Sequence, residues 1–331
     1  GKECGTEHQQ IAYVKPNVYL PEFSPCTGVN ETKYIRVNIH WMRSSAGTGN
    51  FGPDDDGYGN TSVTGYSRAE WLIDEINADL DNNQSNWRSP SGTAVDPIRV
   101  QYVLMGVYFH DDDRYYLNGS NNQLSNWQII SEYGVDIHDT YNIFMVRKSS
   151  STSASGVANA IGNTFYGYNN GTGAWATKVY DEWELYDLYN TWTTSRKTIP
   201  HELGHLMGLY HAWPSNDYCA DTDPHCNCCW AYSSTPPCND WSHISNNLMD
   251  YSQYQPYSIT PCQIGRMHTN LNDSQHDYIH SCNNCLPANS FFTLAPNQCT
   301  ESVVMDGSGS FNEQNHFIEI YRVNGVGQTG V

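Results

Sequence analysis

Residues 201–211 read HELGHLMGLYH and contain the spacing HExxHxxGxxH. On a helix, His201 and His205 lie one turn apart on the same face, where both imidazoles can bind one Zn²⁺ ion. A third ligand at His211 cannot lie on the same straight helix. Gly208 stands where the chain must turn, since glycine reaches backbone angles that other residues avoid. Three histidines and one water would form an open tetrahedral site, which is typical of catalytic zinc.

Glu202 follows the first of these ligands, where its carboxylate can reach a zinc-bound water without binding the metal itself. Zinc lowers the pKa of bound water to about 7, so a hydroxide-like nucleophile is available at neutral pH. Glu202 can take and relay its proton. A helix that bears three histidines by chance is the alternative, but the glycine and third histidine in register disfavour it. The pattern therefore predicts hydrolysis of peptide bonds.

A second motif follows the histidines along the chain. Residues 247–251 read NLMDY, and Met249 lies 38 residues after His211. Taken alone, Met249 would be an ordinary core methionine. The extended zinc motif followed by a methionine-centred turn is, however, the signature of the metzincin metallopeptidases, which this sequence resembles. The resemblance implies that Met249 forms a hydrophobic base beneath the metal and that Tyr251 stabilises the oxyanion of the tetrahedral intermediate.

Within the metzincins, the sequence resembles the pappalysin family, and more narrowly its bacterial secreted members. The likeness covers roughly residues 4–271 and is most specific around the zinc motif. One departure is Pro261, because relatives that prefer Arg after the scissile bond have Asp before the cysteine that follows the methionine turn. We therefore expect no such Arg preference. The matching segments are Gly208–Trp213, Asp217–Thr222, Asn247–Tyr251 and Thr260–His268.

The resemblance implies an α/β (α+β) catalytic domain with two subdomains. The upper one would hold a twisted five-stranded sheet, a backing helix and the zinc helix, which ends at Gly208. The lower one would be irregular and rich in disulfides. We expect an N-terminal segment at 1–32 that is a candidate remnant of a pro-segment, a catalytic domain at 33–285 divided near residue 208, and the start of a β-rich C-terminal module at 286–331.

Hydrophobic periodicity agrees with this arrangement. Alternating apolar residues predict strands, and a spacing of three and four predicts amphipathic helices. Ser67 opens a capping-box pattern ahead of the first helix, which extends to about Leu80. The predicted strands are Tyr34–Trp41, Ile98–Phe109 and Tyr141–Val146, with a short edge strand in 149–177. The further predicted helices are Val179–Trp192 and about Thr198–Leu209.

Composition excludes several classes of protein. The 331 residues carry 16 Lys and Arg against 35 Asp and Glu, and a net charge of −19 rules out a general nucleic-acid binder. Eleven cysteines favour a secreted protein with disulfide bonds over a cytosolic one. No stretch approaches 18 apolar residues, so we expect no membrane span, and a signal peptide, if there was one, is already gone. Protein or peptide substrates are the expected partners, and the oligomeric state stays open.

The main alternative is a secreted binding module that keeps zinc for stability and contacts its partner through Tyr and Trp. Glu202 discriminates between the two, because a structural site has no need of a carboxylate beside an open coordination position. A structural site would normally close with a fourth protein ligand. The sequence therefore favours the peptidase.

The resemblance also implies a structural Ca²⁺ ion in the lower subdomain. The family's calcium loop has an Asp and, five residues on, a Thr with backbone carbonyls between them. Asp217 and Thr222 keep this spacing, and oxygen ligands suit calcium.

Cys4 begins a Cys-Gly-Thr segment that resembles the one with which pappalysin zymogens block their own zinc. A thiolate in the fourth position would displace the water that Glu202 must activate. The alternative is a disulfide between Cys4 and Cys26. In that case the odd thiol of the eleven would be Cys226, Cys228 or Cys229.

Overall fold

The chain has an α/β fold in which helices cover both faces of a mixed sheet, and a largely irregular region follows. The structure is a computed structural model. It describes residues 3–4, 32–118, 127–148, 154–165, 174–180, 194–214, 216–225, 229, 231–251, 257–273, 276 and 279–281.

The strands in this part of the chain are β1 (Glu3–Cys4), β2 (Lys33–Arg43), β3 (Val100–Asp111), β4 (Leu117–Asn118), β5 (Tyr141–Lys148), β6 (Ala154–Ala158), β7 (Ala160–Ile161), β8 (Thr164–Phe165), β9 (Ala176–Tyr180) and β10 (His280–Ser281). The helices are α1 (Gly65–Asp81), α2 (Asp113–Tyr116), α3 (Gln128–Tyr133), α4 (Thr194–Leu206) and α5 (Pro261–Leu271), with a 3₁₀ turn at Trp241–His243. None of these helices is long and apolar enough to cross a membrane.

Five strands form the main sheet, in the order β3–β2–β5–β9–β6. The first four run parallel, and β6 runs antiparallel to β9. The short strands β1, β4 and β10 pair with β6, β5 and β2 respectively. The expected α/β fold with a five-stranded sheet is therefore confirmed. Within β5, the four residues Ile143–Val146 are all apolar. The strand lies in the middle of this sheet, where both faces are covered, and this explains the absence of polar residues.

The larger core lies between one face of the sheet and the helices α1 and α4. Ile35, Val37 and Ile39 of β2 are fully buried there, together with Leu72 of α1 and Leu203 of α4. A smaller core lies on the opposite face, where α3 packs against β5 and β9. The helix α4 is thereby fixed by its apolar side, and its other side is left for functional groups.

Helix α1 begins earlier than the sequence pattern indicated. Thr64 is its N-cap, and its hydroxyl accepts a hydrogen bond of 3.2 Å from the Ser67 N–H. In return, the Ser67 hydroxyl accepts a bond of 3.0 Å from the Thr64 N–H. The prediction that Ser67 opens the capping box was wrong, because a serine here makes the return bond that Glu or Gln usually makes.

The predicted helix Val179–Trp192 is wrong at its start. Val179 and Tyr180 end the strand β9, where they pair with Met145 and Val146 of β5. Sheet pairing overrides the helical spacing of these apolar residues. Residues 181–192 lie outside the described part of the chain, as do 5–31 and the expected C-terminal module at 286–331.

The region after α4 is held by cross-links and helix caps as well as by apolar residues that join the larger core, such as Leu248, Ile264 and Met267. Disulfides join Cys219 to Cys262 and Cys229 to Cys238. The first of them fastens the loop after His211 to the first turn of α5. Thr260 caps α5 in a reciprocal pair with Gln263, so the helix begins at a fixed point below α4.

Candidate metal centre and active site

Helix α4 carries the first two histidines. Ile199, Leu203 and Leu206 are fully buried against the sheet side. His201 and His205 are one turn apart, and they project from the helix towards the methionine turn. Their rings are 5.0 Å apart between centroids and nearly perpendicular to each other. The helix therefore presents two imidazoles to one point, as the spacing predicted.

Gly208 ends the helix in a left-handed conformation with φ of +87°. The Gly208 N–H donates to the carbonyl of His205, and the Leu209 N–H donates to that of Gly204, each at 2.9 Å. This is the turn that glycine makes at little cost and other residues make at a strain. The turn brings His211 back beside the helix, so the role predicted for Gly208 agrees with its backbone angle.

The ring nitrogens of His201, His205 and His211 lie within 4.8 Å of one another. Two of the rings are held by backbone carbonyls: His201 Nδ1 is 2.7 Å from Leu248 O, and His205 Nδ1 is 2.7 Å from Leu209 O. A carbonyl oxygen only accepts, so Nδ1 carries the hydrogen in both rings. Nε2 of each ring is left with the lone pair that a metal requires.

These residues fit Zn²⁺. The Nε2 atoms of His205 and His211 are 3.2 Å apart. Two nitrogens bound to one tetrahedral zinc at 2.0–2.1 Å would be separated by roughly 3.3 Å. Three imidazoles, two of them with tautomers fixed by backbone carbonyls, are also a donor set that zinc prefers.

Met249 lies under the histidine helix and is fully buried. A methyl group added at Gly204 would meet the Met249 sulfur at 2.7 Å, so the absence of a side chain at Gly204 lets the turn approach the helix. The preceding carbonyl, that of Leu248, is the one that accepts from His201. The methionine turn thus packs against the helix and orients a ligand at the same time.

Glu202 and Tyr251 are the two residues predicted to act on a substrate, and they contact different parts of the structure. Glu202 is 1% exposed, and its side chain lies against Gly156 of the edge strand β6. The ring of Tyr251 is 5.1 Å from that of His211 and 6.4 Å from that of His201, between centroids. The two residues predicted to act on a substrate therefore lie beside the predicted metal ligands.

The structure also brings Asp217 and Thr222 together in a buried loop. The Thr222 hydroxyl donates to Asp217 Oδ2, and the Cys219 N–H donates to Asp217 Oδ1 at 3.1 Å. The backbone of Cys4 in β1 pairs with Gly156, which is the residue that touches Glu202. The roles predicted for Asp217, Thr222 and Cys4 stay predictions.

Several residues around the site were not predicted. Trp213 stacks on His211, with ring centroids 4.1 Å apart and planes 19° apart. Asp250 is buried between Met249 and Tyr251 and forms an ion pair with His225. The sequence placed Trp213 and Asp250 inside matching segments but gave neither a role. His225 lies outside all the matching segments, so no motif pointed to it.

Three histidines lie on α4 and the turn after it, next to a buried methionine turn. This combination defines a class of enzyme. The chain is a zinc metalloendopeptidase of the metzincin type. Its family follows from a comparison with protein-family models. The model of peptidase family M43, described as pregnancy-associated plasma protein-A, matches residues 125–272, which include the whole site. Residues 125–272 therefore match the pappalysin family, as the sequence motifs indicated.

Solved structures give more distant likenesses. A promirolysin variant from Tannerella forsythia is 15% identical, with 75% of this chain and 84% of that chain covered and a TM-score of 0.45. Mature mirolysin from Tannerella forsythia, in complex with a cleaved peptide, is 14% identical, with 76% and 99% covered and a TM-score of 0.42. Comparison with curated proteins gives no match. The family assignment rests on the sequence match and the zinc motif.

The close approach at Gly204 gives a first prediction. In Gly204→Ala, the new methyl group and the Met249 sulfur cannot both keep their positions, and overpacking of this kind costs about 1–3 kcal/mol. Alanine regains about 1 kcal/mol of helix propensity. We expect a net loss of about 1 kcal/mol in the free energy of unfolding, measured by denaturant titration, and reduced peptidase activity.

The matched control is the double variant Gly204→Ala/Met249→Val, since valine ends before the position of the sulfur. It should recover part of the stability that Gly204→Ala loses. A Gly204→Ala enzyme as stable and as active as the unmodified one would contradict the packing argument.

Proposed function

We propose that this protein is a secreted endopeptidase that cleaves peptide bonds with a Glu202-assisted water. The observation that carries the proposal is the buried carboxylate of Glu202 on the same helix as two of three histidines whose ring nitrogens converge. Secretion is supported by the two described disulfides and the eleven cysteines. Protein or peptide substrates follow from the family of the catalytic segment.

His201, His205 and His211 would hold Zn²⁺, which when bound supplies Lewis-acid activation of a water molecule and of the scissile carbonyl. Glu202 takes the proton of the attacking water and passes it to the leaving amine nitrogen. Burial of the carboxylate makes each proton transfer less screened by solvent than it would be at the surface. The Tyr251 hydroxyl donates a hydrogen bond to the oxyanion as the tetrahedral intermediate forms.

The competing function is a binding module with a structural zinc. Such a site would gain nothing from Glu202, since the ion needs a fourth ligand rather than a buried carboxylate near its open side. A test of Glu202 therefore separates the two functions.

The Glu202→Ala variant should keep its zinc and lose about 100- to 10,000-fold in kcat, because the ligands remain while the proton relay is lost. Activity is measured on a peptide library by mass spectrometry, which also maps the cleavage preference. Zinc content is measured on the same sample.

Glu70→Ala is the matched control, since Glu70 is an exposed carboxylate of α1. It should cleave like the unmodified enzyme. Undiminished proteolysis by Glu202→Ala would rule out the proposed mechanism. The proposal would also fail if the unmodified protein and Glu70→Ala both bind zinc but cleave no peptide of the library.

A structural Ca²⁺ ion at Asp217 and Thr222 remains part of the proposal. Its support is the burial of both side chains and their direct contact, together with a net charge of −19. Calcium would replace the Thr222–Asp217 hydrogen bond with metal–oxygen contacts and fasten the loop that Cys219 joins to α5. A chelator that removes calcium and spares zinc should then lower the unfolding temperature. An unchanged unfolding temperature would reject the site.

Latency through Cys4 is the last part of the proposal. Its support is the pairing of the β1 backbone with the edge strand β6, with Cys4 opposite Gly156. The strand that this segment pairs with lies against the side chain of Glu202. Cys4→Ala should therefore raise the activity of the uncleaved chain without any proteolysis, measured as the initial rate on a peptide substrate. Peptide mapping that finds Cys4 bonded to Cys26 in the inactive protein would reject latency by this route.

A further inference from the structure

A buried ion pair lies beside the methionine turn. His225 Nε2 is 2.5 Å from Asp250 Oδ2, and the two side chains are 3% and 4% exposed. A buried carboxylate held in this way adds little to stability, because its desolvation offsets the attraction of its partner. Its geometry is nevertheless sharply defined, since a broken pair leaves an uncompensated charge. The pair therefore fixes position more than it adds free energy.

Asp250 transmits this position to Tyr251. While Oδ2 accepts from His225, Oδ1 accepts a hydrogen bond of 2.6 Å from the Tyr251 N–H. Lys197 of α4 provides a further positive charge near Asp250. Burial lowers the pKa of Lys197 to about 8, and the Asp250 carboxylate opposes that shift. The carboxylate thus joins the backbone of Tyr251 to the His225 side chain, and Lys197 adds a positive charge nearby.

His225 also holds the other side of the Tyr251 ring. Its backbone N–H donates to the carbonyl of Trp213 at 3.1 Å. The Trp213 ring lies 4.2 Å from the ring of Tyr251 and stacks on His211. One residue therefore fixes both the backbone of Tyr251, through Asp250, and the aromatic surface against which its ring rests.

We propose that His225 is a positioning residue for Tyr251. It acts through Asp250 and holds the tyrosine hydroxyl where the oxyanion forms. The inference rests on the proposed role of Tyr251 and adds to it a residue outside the known motifs. A donor misplaced by about 1 Å can cost up to about 100-fold in rate, so loss of the ion pair should appear in turnover.

The experiment is a double-mutant cycle on the full chain. His225→Leu removes the donor at similar volume, and His225→Gln keeps an N–H that can reach Asp250. Each is made alone and with Tyr251→Phe, and kcat, KM and zinc content are measured with one peptide substrate. His138→Leu is the matched control, since His138 is exposed and belongs to neither site.

We expect Tyr251→Phe alone to lose about 10- to 1000-fold in kcat. His225→Leu should lose about 10-fold, with KM changed by less than about 3-fold and zinc retained. His225→Gln should keep most of the activity. In the Tyr251→Phe background, His225→Leu should cost less than about 2-fold, because the group that it positions is already gone.

Equal losses from His225→Leu in both backgrounds would overturn the inference while leaving the role of Tyr251 intact. A Tyr251→Phe enzyme with full turnover would overturn both, and the Glu202 test would still stand by itself. If His225→Leu does not fold, Asp250→Asn replaces it in the same cycle. It keeps the Oδ1 acceptor, weakens the contact with His225 and should show the same dependence on Tyr251.

Discussion

The site depends on one constraint: three imidazoles must present Nε2 atoms to a single point that is small enough for one ion. Each ring could otherwise rotate about two side-chain torsions, and the unfavourable entropy of fixing three of them would oppose metal binding. Two backbone carbonyls, those of Leu248 and Leu209, fix the rings of His201 and His205. Because Leu248 belongs to the methionine turn, the orientation of a helix ligand depends on a segment 47 residues further along the chain.

The irregular region must therefore hold that turn firmly without a large core of its own. Asp221 accepts hydrogen bonds from the Thr260 hydroxyl and the Cys262 N–H at the start of α5. The Cys219–Cys262 disulfide lies in the same place. Asn270, near the other end of α5, donates to the carbonyl of Leu206, the last residue of α4. Helix α5 thus connects the loop after His211 to the C-terminal end of α4.

Local features of the site could be read from the sequence, because spacing on a helix fixes which side chains share a face. The residues of HExxHxxGxxH and the turn at Gly208 are examples, and so is the strand predicted at Tyr141–Val146. Contacts between distant segments left no comparable signal. The pairing of Val179 with β5 and the ion pair of His225 with Asp250 depend on which segments meet in space. The capping serine was misplaced for a different reason, since Ser67 can act either as the N-cap or as its return partner.

Two glycines show how closely the parts of the site approach one another. A methyl group at Gly204 would meet Met249 on one side of α4, and one at Gly156 would meet Glu202 and Thr198 at 2.7 Å on another. The helix is therefore held between the methionine turn and the edge strand β6, with no space for a side chain at either contact. The first contact sets the depth of the metal ligands. The second places Glu202 against β6, so the proposed proton acceptor and the proposed metal ligands are positioned by different neighbours of one helix.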